Sequence, residues 1–155
     1  MQTKFTKSKY NELLAKLRKD ISLLNLNRKK LGDGQKSMLD FIEGKKANSQ
    51  YMFQNKIVQL CHGNEKFGFC HILLGHYEDG ADGRLTAREI LNLWSILENN
   101  SEITNYEKEL KSEYKNRKAF RLQKTNQNID IMLFIITFED GIIDRILTSY
   151  SSRKS

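Results

Sequence analysis

The 155 residues contain no proline and only two cysteines, Cys61 and Cys70. Two cysteines are too few for a disulfide framework and fit a reducing cytosol. No run of about 18 apolar residues is present, which excludes a transmembrane helix. The first residues, MQTKF, are not followed by an apolar segment that could serve as a signal peptide, so a cytoplasmic location is expected.

The sequence also lacks the motifs of several large enzyme classes. It contains no phosphate loop, no dinucleotide-binding fingerprint and no signature of a serine or cysteine triad. Positive charge is abundant, because 26 Lys and Arg oppose 19 Asp and Glu and give a net charge of +7. A surplus of this size favours a polyanionic partner, either nucleic acid or an anionic membrane. The alternative is that the excess of positive charge serves only solubility and indicates no partner.

The N-terminal part is predicted to be helical. Within residues 5–30, apolar side chains recur at spacings of three and four and predict an amphipathic helix. They are Leu13, Leu14, Leu17, Ile21 and Leu24. A second, shorter helix is predicted around Met38 to Ile42 and ends at Gly44. Because these helices have basic faces, an alternative is that they bind a membrane surface or a partner helix.

A β-hairpin is predicted in the middle of the chain. Residues 51–60 and the apolar residues 67–74 would form its strands, with a turn at 62–66. In this hairpin Cys61 would lie near Cys70 across the strand pair. The loop that follows, 78–83, is rich in Asp and Gly.

The C-terminal half predicts one helix and a sheet. Thr86 and Glu89 form a capping box and begin a helix that ends before Asn99. Residues 103–114 fit either a frayed helix or a mobile loop. Three antiparallel strands are predicted at 119–124, 129–138 and 142–150. The order of the predicted elements is two helices, a hairpin, one helix and a sheet. This order predicts an α+β fold.

All three histidines and both cysteines lie between Cys61 and His76, and three interpretations compete. The two cysteines and a histidine could ligate zinc, although the spacing matches no common zinc motif. A histidine in an apolar segment can be a structural core residue. Two histidines can also act as acid and base, because the imidazole pKa lies near neutrality.

Cleavage of RNA through its 2′-hydroxyl is a reaction that suits such a pair. It needs a base for the 2′ proton, an acid for the leaving 5′-oxygen and donors or a cation for the charge that develops on phosphorus. His71 and His76 could supply the acid and the base. Hydroxyls could come from residues 148–153, because Thr148, Tyr150 and Ser152 would share one face of a strand. A polar, frayed C-terminus is the alternative.

Residues 51–77, with Phe-Cys-His-Ile-Leu-Leu-Gly at 69–75, resemble the phage- and toxin-associated ribonucleases of the barnase, EndoU, colicin and RelE group, the BECR fold. The resemblance implies N-terminal helices packed on an antiparallel sheet of four or five strands. It implies a single domain, 1–155, with a helical part at 1–48 and a nuclease-like core at 51–155.

The same resemblance implies a metal-independent endoribonuclease that needs no cofactor and leaves a 2′,3′-cyclic phosphate. Its partners would be RNA and a cognate antitoxin or immunity protein, with no membrane partner, in the cytoplasm of the producing or target cell. A non-catalytic RNA-binding or phage-associated interaction module that uses the same basic surface is the alternative.

The resemblance assigns roles to individual residues. It makes His71 a catalytic residue and Thr148 and Tyr150 residues of a phosphate site, and it matches His76 to a second histidine of EndoU-like members. The family's catalytic lysine has no clear equivalent, so an arginine would have to supply that charge. The predicted substrate-binding residues are Arg84, Arg145, Ser149, Ser152 and Arg153.

Overall fold

The fold is that of a computed structural model, which describes residues 4–53, 56–77, 80–98, 102–105, 119–126, 129–137 and 143–153. The helices in these ranges are α1 (Lys4–Ser22), a 3₁₀ helix (Arg28–Lys30), α2 (Asp33–Ile42), α3 (Gly68–His76), α4 (Ala87–Leu91) and α5 (Ser95–Glu98). The strands are β1 (Asn48–Phe53), β2 (Lys56–Cys61), β3 (Glu102–Asn105), β4 (Ala119–Asn126), β5 (Ile129–Thr137) and β6 (Ile143–Arg153).

The two N-terminal helices follow their apolar periodicity. Leu13, Leu14, Leu17 and Ile21 of α1 are buried, and so are Met38, Leu39, Phe41 and Ile42 of α2. Helix α1 ends at Ser22, before the predicted end near residue 30. Asn25 there has a positive φ of 52°, a left-handed conformation that cannot continue a right-handed helix.

The predicted hairpin was wrong in its placement. Residues 48–61 form the hairpin by themselves, because β1 and β2 pair antiparallel with Tyr51 opposite Val58. Residues 68–76, predicted as its second strand, are the helix α3. The apolar side chains of this helix pack into the core, since Phe69, Cys70, Ile72 and Leu73 have no exposed surface. An apolar run of this length does not distinguish a buried helix from a strand.

The capping box at the start of α4 is confirmed. The Thr86 hydroxyl accepts from the Glu89 amide at 3.2 Å, and the Glu89 carboxylate accepts from the Thr86 amide at 2.8 Å. The single predicted helix is, however, divided into α4 and α5. The side chain of Asn92 donates to the Arg88 carbonyl, and the Ser95 hydroxyl donates to the Asn92 carbonyl. Such side-chain bonds to the backbone compete with a continuous helix.

Six strands form one mixed sheet in the order β1-β2-β6-β5-β4-β3. The predicted C-terminal meander is confirmed, because β5 pairs antiparallel with both β4 and β6. The prediction of a wholly antiparallel sheet of four or five strands was wrong, since β2 and β6 run parallel. Strand β3 lies at the start of the polar stretch 103–114, and residues 106–118 lie outside the described residues. The α+β class is consistent with the structure.

The hydrophobic core lies between the helices and one face of the sheet. Val58, Leu60, Leu133 and Ile146 contribute to it from the strands. From the helical side, the indole of Trp94 reaches β1, where its Nε1 donates to the buried Ser49 hydroxyl at 2.8 Å. None of the helices within the described ranges is both long enough and apolar enough to span a bilayer.

Candidate active site

Helix α3 carries two of the three histidines, and a tight turn sets its position. Gly63 and Gly68 both have positive φ and lie against each other, and a Cβ at Gly63 would stand 2.2 Å from the Phe67 carbonyl oxygen. The Cys70 amide donates to the His62 carbonyl at 2.7 Å across this turn. The helix therefore leaves β2 at a fixed angle, and its packing against β6 brings His71 and His76 towards that strand.

His71 and His76 lie close together at the surface of α3. Their ring centroids are 5.7 Å apart, with an interplanar angle of 78°. His71 Nδ1 is 2.9 Å from the Glu65 carbonyl oxygen, and His76 Nδ1 is 2.8 Å from the Asp82 carbonyl oxygen. A carbonyl can only accept, so each Nδ1 must donate. This leaves Nε2 of each neutral ring as the nitrogen that can take a proton from a ligand.

His76 is tied to β6 by residues 82–85, here named the clasp segment. The carbonyl of Asp82 accepts from the His76 ring, and the amide of Leu85 donates to the His76 carbonyl at 2.7 Å. Between them, the Gly83 carbonyl accepts from the Ser151 amide at 2.9 Å. The Arg84 carbonyl accepts from the Ser151 hydroxyl. Each of these four consecutive residues thus bonds to His76 or to Ser151, and together they join the end of α3 to the last strand.

Gly83 is required at the centre of the clasp segment. Its φ is +65°, and a Cβ there would stand 2.9 Å from Tyr150 Cβ, 3.1 Å from the Ser151 carbonyl oxygen and 3.3 Å from His76 Nδ1. Only glycine fits this left-handed conformation without strain. The missing side chain allows His76 and Tyr150 to approach, with ring centroids 5.5 Å apart.

The register of β6 places the predicted phosphate-site residues. Thr148, Tyr150 and Ser152 lie opposite residues 134, 132 and 130 of β5, so they share one face of the sheet, as predicted. The Thr148 Oγ1 atom is buried and has no hydrogen-bond partner among the described residues. Ser152 is exposed. His71, His76 and Tyr150 are contiguous, because His76 contacts both of the others.

Ser149 does not reach this face. It is fully buried, and its hydroxyl donates to the Met132 carbonyl at 2.5 Å. The predicted substrate-binding role is not supported by this position, because alternation along the strand turns Ser149 towards the core. Ser151 shares that face, is 3% exposed and bonds to the clasp segment. Sequence reasoning missed this function of Ser151, which depends on a segment far away in the chain.

The predicted arginines differ in position. Arg145 lies on the same face of β6 as Tyr150, in register with Ile136, and its charge acts on Cys61. Arg84 belongs to the clasp segment and is half-buried. The side chain of Arg153 lies outside the described residues.

Burial lowers the pKa of His76 below its ordinary value. The bond to the Asp82 carbonyl opposes this shift, and the charge of His71 adds to it. The neutral form is therefore favoured at His76, which suits a proton acceptor. Burial raises the pKa of the Cys61 thiol, and the charge of Arg145 opposes that shift only partly.

The two cysteines are not joined by a disulfide. Cys70 is buried in the core, whereas Cys61 lies on β2 and its thiol donates to the Gln59 carboxamide oxygen at 3.2 Å. The predicted cross-strand proximity fails with the hairpin, since Cys70 is on α3. No three side chains of His, Cys, Asp or Glu in the described ranges converge as metal ligands would.

The third histidine, His62, belongs to a different cluster. Its Nδ1 lies 2.5 Å from the Tyr10 hydroxyl, and its ring packs on Phe41 with centroids 4.6 Å apart. Burial raises the pKa of Tyr10 and lowers the pKa of His62, so a protonated phenol donates to a neutral ring. His62 thus anchors α1 to the start of α3.

Comparison with protein-family models, with curated proteins and with solved structures finds no match to this chain. The similarity to the barnase, EndoU, colicin and RelE group therefore stays a prediction.

Proposed function

We propose that the protein is a metal-independent endoribonuclease, in which His71 and His76 are the acid and base. The observation that carries this proposal is the pair of imidazoles 5.7 Å apart, each with Nδ1 held by a backbone carbonyl. Fixed Nδ1–H tautomers orient both Nε2 atoms for proton transfer. Two imidazole rings with centroids at this separation suit the 2′-hydroxyl and the 5′-oxygen that flank a single phosphate.

His76 is assigned as the base because burial lowers its pKa and keeps its ring neutral. Its Nε2 takes the 2′-hydroxyl proton as the 2′-oxygen bonds to phosphorus. The bond from phosphorus to the 5′-oxygen breaks, and that oxygen takes a proton from Nε2 of His71, which must enter the reaction with a proton on both ring nitrogens. The products are a 2′,3′-cyclic phosphate and a free 5′-hydroxyl, and proton exchange with water restores both rings.

Donors for the non-bridging oxygens come from β6. The Tyr150 ring packs on His76 at 5.5 Å between centroids, and Thr148 lies on the same face of the strand, where its Oγ1 is buried and has no partner among the described residues. Arg145, on the same face of the strand, is the assigned cation. Preorganised donors and a cation stabilise charge that develops on phosphorus in the transition state.

The test is incubation of the protein with total RNA in EDTA, comparing the parent with His71→Ala. Cleavage with 2′,3′-cyclic phosphate ends is expected from the parent, together with a loss of about 100-fold or more in the variant. Circular dichroism of both proteins controls for folding. Intact RNA after incubation with a folded parent protein would reject catalysis and favour the non-catalytic RNA-binding module.

A further inference from the structure

The net positive charge of this protein arises from one part of the chain. Residues 1–50 hold 12 Lys and Arg against five Asp and Glu, a net charge of +7, whereas residues 51–155 hold 14 of each. The histidines and the β6 hydroxyls therefore belong to a part of the chain with no net charge. The excess of positive charge that would attract a polyanion from a distance therefore lies in residues 1–50.

Helix α1 runs beside α3, and hydrogen bonds join it to residues just before and just after that helix. Near its start, the Thr6 hydroxyl donates to the Glu65 carboxylate at 3.4 Å, and Tyr10 bonds to His62. Near its end, the Tyr77 hydroxyl donates to Asp20. From Thr6 to Asp20 the helix rises about 21 Å, so α1 flanks the whole helix that carries His71 and His76.

A basic edge, defined as Lys16, Arg18, Lys19, Lys29 and Lys30, leads away from the histidines. Lys16 Nζ lies 5.2 Å from the centroid of the Tyr77 ring, and Tyr77 directly follows His76. Arg18 lines a cavity of about 300 Å³ together with Arg28 of the 3₁₀ helix, so the two helices of this edge adjoin. Lys19, Lys29 and Lys30 are exposed and make no ion pair among the described residues.

Other lysines of the same region are balanced by carboxylates. Lys36 and Lys46 line a second cavity together with Asp33 and Asp40, on the side of α2 next to β1. Glu43 forms ion pairs with Arg28 at 2.6 Å and with Lys45 at 3.4 Å. Lys19, Lys29 and Lys30 of the basic edge therefore differ from Lys36, Lys45 and Lys46, which have carboxylates beside them.

We propose that the basic edge is the docking surface for the phosphate backbone of RNA, which it holds so that the strand continues past α3 to the histidines. This inference rests on the proposed function for the identity of the polyanion. Since lysines contact phosphates without reading bases, docking here is independent of sequence.

The test measures binding apart from cleavage, using a fluorescent single-stranded RNA in which every 2′-hydroxyl is replaced by 2′-O-methyl. The variant Lys19→Gln/Lys30→Gln is compared with Lys36→Gln/Lys46→Gln. Both variants reduce the net charge from +7 to +5, so they differ only in where the charge is removed. Fluorescence polarisation is recorded over a range of salt concentrations.

Loss of two phosphate contacts is expected to lower the salt-dependence slope by about 1.4 and to weaken binding about 25-fold near 0.1 M salt. The control variant is expected to bind within about 3-fold of the parent, because its lysines have carboxylates beside them. Equal weakening in both variants would overturn the proposal, since net charge alone would then explain binding. Binding by the parent to anionic lipid vesicles but not to this RNA would also overturn it.

The two proposals can fail separately. If the protein binds RNA through the basic edge but does not cleave ordinary RNA, the ribonuclease proposal is rejected. The proposed docking surface is then still supported. Conversely, the parent could cleave RNA while the Lys19→Gln/Lys30→Gln variant binds RNA as tightly as the parent. That result would support the ribonuclease and reject the docking surface.

Discussion

Two histidines of this protein contact a tyrosine ring, but in opposite chemical arrangements. His62 accepts at Nδ1 from the Tyr10 hydroxyl, which leaves its proton on Nε2 and ties the ring to a neighbouring helix. His76 donates from Nδ1 to the Asp82 carbonyl and meets Tyr150 through ring packing. The difference shows that the partner of Nδ1, more than the presence of an adjacent tyrosine, decides whether Nε2 is left as a base.

The largest expected difference between these two histidines is in catalysis. His76→Gln should reduce RNA cleavage about 100-fold or more, because it removes the general base. The matched variant His62→Gln should retain activity within a few-fold of the parent while lowering the melting temperature, because its ring only connects α1 to α3. Initial rates on a fluorogenic RNA measure both effects, and equal losses in the two variants would contradict the assigned roles.

A second expected difference concerns the backbone that holds His76. Gly83→Ala adds a Cβ 2.9 Å from Tyr150 Cβ at a φ of +65°. We expect about 1–2 kcal/mol of loss from the left-handed conformation and about 1–3 kcal/mol from overpacking. Urea unfolding measures the change.

Gly75→Ala is the control, since it lies in the same helix as His76 and a Cβ there meets nothing within 4 Å. This exposed helical position should gain about 0.5–1 kcal/mol. Equal destabilisation by both substitutions would remove the evidence for a specific role of the clasp segment.

The two histidines should behave alike towards pH. Burial lowers both pKa values, so the unfolded chain binds protons more readily than the folded protein. Their contribution to stability is complete above the unfolded-state pKa of about 6.5 and is lost as the pH falls towards the folded-state values. The melting temperature of the parent should therefore fall on acidification. The melting temperature of the His62→Gln/His76→Gln variant should fall less steeply over the same pH range. A variant as pH-sensitive as the parent would assign the effect to other groups.

The smallest expected effect is that of a chelator. Neither histidine cluster contains three converging metal ligands within the described residues. EDTA should then leave the melting temperature and cleavage unchanged, whereas a structural metal would couple its loss to unfolding. A fall of several degrees that zinc reverses would instead assign a metal to Cys61, Cys70 or a histidine.

Local signals predicted the elements whose residues decide their own structure. The Thr86 and Glu89 capping box, the apolar stripe of α1 and the apolar strand β5 were all read correctly, because each depends on neighbours within a few residues. Helix α3 was missed because a short run of mostly apolar residues does not distinguish a helix from a strand by its periodicity. The same error displaced the hairpin and the expected contact between Cys61 and Cys70.

The sequence by itself determined the net positive charge and the presence of His71, His76, Thr148 and Tyr150. It also determined the alternation that puts Thr148 and Tyr150 on one face of β6. Only the tertiary structure decided which of these side chains meet. Contact between His76 and Tyr150 depends on Ser151 and Gly83, 68 positions apart, whose hydrogen bond joins α3 to the last strand. Such pairings leave no periodic pattern in a single sequence, because packing between distant segments selects them.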